Sequence, residues 1–232
     1  MPPTNTQKNR LLAALPQEDL HRFFADLHPV SFPLRHVLYD VGAPIEHVYF
    51  IEQGLASILT SMVNGSTIEV GMIGMEGMVG VQVVLGGLTS NRQFVVQSPL
   101  TGLRMNVALC KAAFDQSAAV RRVMLRFTEA VLDLASQTAA CNRLHSIEQR
   151  CARWVLMSGD RIPSDIIPMT HEFLASMLGV RRAGVTTTLG ELDRSGLIEN
   201  GRGQVKITDR EGLEATACEC YELDRSRLET LL

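Results

Sequence analysis

From Ala118 to Arg161 the apolar or small side chains step by four, three, four, three: Val120, Met124, Phe127, Val131, Leu134, Thr138, Cys141, His145. The stretch contains no proline, and its only glycine is Gly159. A heptad stripe held for about four heptads predicts a long amphipathic helix. Two readings are open for its apolar face. It lies on a barrel of the same chain, or it pairs with the same stripe of a second copy. About 40 Å of helix, at 1.5 Å per residue, outruns one side of a small barrel. That favours pairing, with Val120, Met124, Phe127, Val131, Leu134, Thr138 and Cys141 as a dimer seam. Polar Thr138 and His145 weaken its far end.

Before this helix the period changes to two. Between Val30 and Leu109, short runs rich in Val, Ile, Phe and Tyr are separated by Gly42, Gly54, Asn64-Gly65 and Ser98-Pro99. Many short strands at about 8–12-residue spacing predict a sandwich or small barrel. Asn64-Gly65 is the best hairpin turn, because both residues tolerate positive φ. Upstream, Leu11, Leu12, Leu15, Leu20, Phe23 and Phe24 recur at helical spacing around Pro16, which predicts short helices over about 9–26.

After Ile162-Pro163 the helical pattern restarts. Thr170 is a good N-cap and Glu172 adds charge of the right sign to the first turn. Phe173, Leu174, Met177 and Leu178 give an apolar face, Gly179 a turn, and Val185, Leu189 and Leu192 the inner face of a second helix over about 181–195. Helix, short glycine turn, helix is the helix-turn-helix pattern. Arg181, Arg182, Thr186 and Thr187 sit at the exposed start of the second helix, and no acid occurs from Gly179 to Gly190. Arginine can fork onto guanine in the major groove, and threonine can reach bases or phosphates. Two β runs then flank Gly201-Arg202-Gly203 as a wing. Arg202 and Lys206 suit phosphates, which position the protein without specifying sequence, and Thr170 is a third candidate there.

The 232 residues carry a net charge of −3, with 46% hydrophobic and 20% charged positions. This is ordinary globular composition, and it argues against a generic polyanion binder while leaving a locally basic DNA reader open. The most apolar stretch, Val70–Leu88, carries Glu76, Gln82 and six glycines, so no transmembrane span is expected. The polar start, Met1–Arg10, shows no signal peptide. Five cysteines, an odd number, fit a reducing compartment. The expected location is the cytoplasm.

Taken in order, these parts resemble the Crp/Fnr family of bacterial regulators. Val41-Gly42-Ala43-Pro44 through Val48-Tyr49-Phe50-Ile51-Glu52-Gln53-Gly54 is similar to the opening of that family's β-roll. Gly71-Met72-Ile73-Gly74-Met75-Glu76-Gly77-Met78-Val79-Gly80 is similar to its central glycine-rich turn, and Thr170–Ile207 to its winged helix-turn-helix. The resemblance implies an α+β chain: an antiparallel β-roll or jelly-roll sensor over 1–117, a dimerisation helix over 118–146 and a winged helix-turn-helix over 147–232. It implies a homodimer on near-palindromic duplex DNA, with half-sites about one helical turn apart, with RNA polymerase as a partner and no membrane. No enzymatic activity is expected.

Two departures concern the effector. Cyclic-nucleotide-binding members carry Gly-Glu for the ribose and Arg-Ser or Arg-Thr for the phosphate. Here Gly80-Val81-Gln82 and Asn91-Arg92-Gln93 stand instead. Gly80, Gln82 and Arg92 remain the candidate effector pocket, but the missing carboxylate argues against cyclic AMP; a ribose hydroxyl left unpaired loses on the order of 1–3 kcal/mol. Arg92 reads more readily as a surface arginine. In the recognition helix, Ala183 and Gly184 replace polar side chains, which shifts base readout toward Arg181, Arg182 and Thr187.

No cofactor or metal is expected. The first cysteine is Cys110, too late for the N-terminal cluster of the iron–sulfur members. Cys218 and Cys220 are two thiols, which alone do not complete a tetrahedral site. A redox role for Cys141 on the seam stays open, as does haem ligation by His28, His36 or His47. Three functions compete: an effector-sensing regulator, a constitutive DNA-binding regulator whose roll is a scaffold, and a cupin-type barrel metalloenzyme built around His36 and His47.

Overall fold

The computed structural model describes residues 7–231; residues 1–6, the polar start on which the expectation of no signal peptide partly rests, lie outside the described residues. Two short helices open the chain, α1 (Arg10–Ala13) and α2 (Gln17–Phe24). Buried Asn9 fixes α1 to the roll. Its Oδ1 caps α1 through the Leu12 amide at 3.0 Å, and its Nδ2 donates to the Ile51 and Gly77 carbonyls at 2.7 and 2.8 Å.

The roll has eight strands: β1 (His28–Phe32), β2 (Val37–Tyr39), β3 (His47–Gln53), β4 (Ala56–Ser61), β5 (Thr67–Ile73), β6 (Met78–Val79), β7 (Gln93–Val96) and β8 (Leu100–Asn106). They form two four-stranded antiparallel sheets, ordered β1-β8-β3-β6 and β2-β7-β4-β5. Side chains from both sheets, among them Val48, Phe50, Ile58, Phe94 and Val96, share one core with Phe23. Alternation along each strand puts these residues on the inner faces. The Asn64-Gly65 turn closes the β4–β5 hairpin, with Gly65 at φ +81°.

After α3 (Val107–Gln116), Ser117 caps α4 (Ala118–Leu144) by accepting from the Val120 amide at 3.2 Å. The apolar stripe of α4 is covered by its own chain. Val120, Met124 and Phe127 are buried in the core of the chain's own roll, with Val131 packed against it. Leu134 joins the core of the C-terminal unit, and Thr138 and Cys141 are buried beside it. Heptad spacing specifies which residues share a face, but not what covers that face. Here the roll covers the first half and the C-terminal unit the second. A Cβ on Gly77 would overlap the Phe127 ring, so the ring rests on bare backbone.

The helix ends before the expected boundary at 146. Ser146 starts α5 (Ile147–Gly159) with a capping box, its side chain accepting from the Gln149 amide while Gln149 bonds back. The rest comprises β9 (Ile166–Pro168), α6 (His171–Leu178), α7 (Arg182–Arg194), β10 (Ile198–Gly201), β11 (Gln204–Ile207), α8 (Arg210–Thr216) and α9 (Cys220–Leu231). The small sheet is ordered β10-β11-β9. Contacts return α9 along α4. Arg126 donates to the Thr230 carbonyl at 2.8 Å, and buried Arg153 of α5 pairs with Asp224 of α9 at 2.6 Å.

The roll and the C-terminal unit are joined by polar contacts as well as apolar ones. Arg161 meets Glu76 at 2.8 Å, both buried, and Thr67 Oγ1 meets Ser176 Oγ at 2.9 Å. Among the described residues, no helix is long and apolar enough to cross a membrane.

Candidate nucleic-acid interface

The reader is built from local chemistry. Thr170 caps α6, accepting from the Phe173 amide at 3.1 Å. Gly179 ends α6 at φ +64°, in the left-handed region that glycine tolerates. Its Cα also approaches the roll: a Cβ there would lie 2.7 Å from Ile68 Cδ1. Leu174, Val185, Leu189 and Leu192 are buried between α6 and α7. Burying each contributes about 1.5–3 kcal/mol, and together they fix which way α7 presents its start.

That start is exposed and basic. Arg181 is the N-cap of α7 and makes no side-chain cap bond, and Arg182 is the first helical residue. Arg181, Arg182, Thr186 and Thr187 are all exposed, whereas Val185 and Thr188 turn inward. Gly184 sits against Ile147 Cδ1, where a Cβ would stand at 3.3 Å. The wing lies alongside. Arg202 and Gly203 form the β10–β11 tip, and the Gly203 carbonyl accepts from Met169, next to Thr170. Lys206 is exposed opposite Glu199.

Among the described residues, no ion pair engages Arg181, Arg182, Arg202 or Lys206. Arg153, Arg161, Arg194, Arg210, Arg225 and Arg227 all have carboxylate partners. These four cations lie on the α7 start and the wing of one helix-turn-helix unit, without a carboxylate partner among the described residues.

Two hydroxyls have other duties. Thr187 Oγ1 donates to the Ala183 carbonyl at 3.1 Å. Thr186 Oγ1 lies 3.0 Å from His171 Nδ1, and His171 Nε2 lies 3.2 Å from Asn200 Oδ1. His171 therefore links α6, α7 and the wing. The sequence pattern does not single it out, because its partners come from separate elements.

The expected effector residues Gly80, Gln82 and Arg92 lie in the roll. Gly80, at φ +106°, faces the Tyr39 hydroxyl, where a Cβ would stand at 2.5 Å. Tyr39 packs on Phe94 and Tyr49 and donates to the His47 carbonyl. Gln82 is half-buried in the turn Val81–Leu85, and Arg92 is exposed. Among the described residues no hydrogen bond or ion pair joins Arg92 to Gly80 or Gln82. His36 stacks on Phe32, and neither His36 nor His47 belongs to a described cluster of three metal-ligating side chains.

Cys218 and Cys220 do not stand alone. The fold brings Cys141, from the last turn of α4, and His145, its C-cap, against them. A sequence separation of more than seventy residues hides this from any reading of spacing.

Residues 149–216 match the family described as the Crp-like helix-turn-helix domain. The FixK2 structure from Bradyrhizobium japonicum superposes with a TM-score of 0.71 at 16% identity, over 83% of this chain and 98% of that one. The chain carries a Crp-like helix-turn-helix domain on the fold of the Crp/Fnr regulators. A Crp/Fnr family regulator from Eubacterium rectale gives a TM-score of 0.69 at 16% identity, over 87% of this chain and 94% of that one. In sequence, the global nitrogen regulator of Synechococcus elongatus is 26% identical over 208 residues, 82% of this chain and 93% of that protein. The Crp-like domain contains Thr170, α7 and the wing described above. The barrel-enzyme alternative finds no support in these likenesses.

Proposed function

We propose that this Crp-type chain is a cytoplasmic transcription regulator that binds a near-palindromic duplex site as a homodimer. The carrying observation is the basic surface formed by Arg181, Arg182, Arg202 and Lys206 on a winged helix-turn-helix, with no carboxylate paired to any of the four among the described residues. In this reading α7 enters the major groove, with Arg181 and Arg182 on base edges. Thr187 adds a contact if its hydroxyl turns from the Ala183 carbonyl. Thr186 contributes mainly through His171. Thr170, Arg202 and Lys206 hold phosphates, which fixes register.

The dimer face is the outward side of α4. Leu125 and Leu132 are 43% and 61% exposed there, one heptad apart. The apolar side of α4 is already covered by the chain itself, so this second stripe is the one left for a partner copy. A DNA reader that needs no small effector is favoured by Tyr39 at the face of Gly80. The roll is then a scaffold and a surface for RNA polymerase.

Fluorescence anisotropy with a labelled random-sequence duplex tests the interface. Log affinity is expected to fall linearly with log salt, and Arg202→Ala is expected to flatten that slope. A folded protein that shows no salt-dependent binding to duplex DNA contradicts the proposal.

A further inference from the structure

We propose that Cys141, His145, Cys218 and Cys220 form a tetrahedral zinc site that fastens the end of α4 to the start of α9. The four donor atoms lie within 4.8 Å of one another. Cys141 Sγ and Cys218 Sγ are 3.5 Å apart, and Cys220 Sγ and His145 Nδ1 are 3.6 Å apart. With Zn–S and Zn–N bonds of about 2.3 and 2.0–2.1 Å, the edges of a tetrahedral site are roughly 3.8 Å between sulfurs and 3.6 Å from sulfur to nitrogen. The observed separations are close to those edges. The three cysteines are buried and the imidazole is nearly so, which makes the site closed, as structural zinc sites are.

The fold places the donors by simple means. Cys141 and His145 are four residues apart, so they share a face at the end of α4. Cys218 lies in the turn after α8, and Cys220 is the first residue of α9. The surrounding groups orient the donors. His145 Nε2 meets the Glu219 carboxylate at 3.2 Å, which leaves Nδ1 to point its lone pair at the sulfurs. Gln137 donates to Cys220 Sγ at 3.0 Å. A zinc ion with three thiolates and a neutral imidazole carries one net negative charge, and Arg153 lies close enough to offset it. Zinc binding displaces the thiol protons and any imidazolium proton into solvent, as metal binding to such donors requires.

The location gives the ion a task. α4 ends two residues before Ser146, where the chain turns into the DNA-binding unit, and α9 closes that unit. An ion held by both sides of this bend fixes how the reader sits on the long helix. The site does not depend on DNA binding, so it stands or fails separately from the function proposed above.

The test is elemental analysis of untagged full-length protein purified without chelators, followed by Co²⁺ titration of stripped, reduced protein. About one zinc per chain is expected, and Co²⁺ should give sulfur-to-metal charge transfer and the intense visible bands of a tetrahedral thiolate site. Added Zn²⁺ should bleach them. Cys218→Ser should lose or alter the spectrum, whereas Cys110→Ser and Cys151→Ser, buried cysteines outside the cluster, should keep it. Background metal with a six-coordinate Co²⁺ spectrum overturns the proposal. So does iron in place of zinc, or a Cys141–Cys218 disulfide in non-reducing mass spectrometry of the native protein. The wild-type spectrum decides even where a cysteine variant fails to fold.

Discussion

Trp154 donates its indole N–H to Glu69 Oε1 across 3.1 Å, tying the first helix of the DNA-binding unit to β5 of the roll. Glu69 is buried there with Ser57 and Gln97. Burial pushes its carboxyl from the ordinary 4.5 up to about 7, against the pull of the Ser57 and Trp154 hydrogen bonds and the Arg153 and Arg161 charges. A carboxyl raised on folding stabilises the fold fully below about pH 4.5. That contribution is lost as pH rises toward 7 and is absent above it. Wild-type unfolding free energy is therefore expected to fall between pH 5 and 8, by on the order of 2–4 kcal/mol from this group. Denaturant titrations of wild type and Glu69→Gln check this. The variant should show a flatter pH profile and be relatively more stable at pH 8, and parallel profiles would count against it.

The contact of Phe127 with Gly77 fixes α4 on the roll. Phe127→Ala should cost about 3–5 kcal/mol through the cavity it leaves. Gly77→Ala should be destabilising by at least the 1–3 kcal/mol or so of an overpacked core, because its new methyl runs into the ring. In a double-mutant cycle Phe127→Leu should recover part of the Gly77→Ala loss. Strict additivity would show that the two residues do not press on each other.

Much of this architecture is legible as local chemistry. Thr170 as a cap, Gly179 as a left-handed turn and Asn64-Gly65 as a hairpin follow from residue type and position alone. The Ser146–Gln149 capping box is equally local, and it marks the end of α4 better than the heptad count does. The α4 stripe is different. Its period shows that Val120, Met124 and Phe127 share a face, but only tertiary packing decides that the roll covers it. The His171 link and the Cys141–His145–Cys218–Cys220 cluster depend wholly on elements distant in sequence.

The outward face of α4 supplies a prediction about assembly. Replacing Leu125 and Leu132 together by Glu places charges on the proposed dimer face without touching the roll core. Sedimentation velocity should show a folded monomer where wild type is a dimer. A variant that stays dimeric would move the interface elsewhere.

The arginines of the reader should separate by role. Arg182→Ala should lower affinity for a selected site by about 1–3 kcal/mol and relax base preference at its contact, while Arg202→Ala should weaken all sequences about equally. Competition binding with target and random duplexes reads both. Equal losses on the two duplexes for Arg182→Ala would assign that residue to phosphate instead of base.

The most direct test of a dimeric, sequence-reading regulator is selection from a random duplex library with purified full-length protein, followed by sequencing. An inverted repeat with half-sites about one helical turn apart is the expected result. A bound pool indistinguishable from the input, or enrichment of a single unrepeated site, would contradict it.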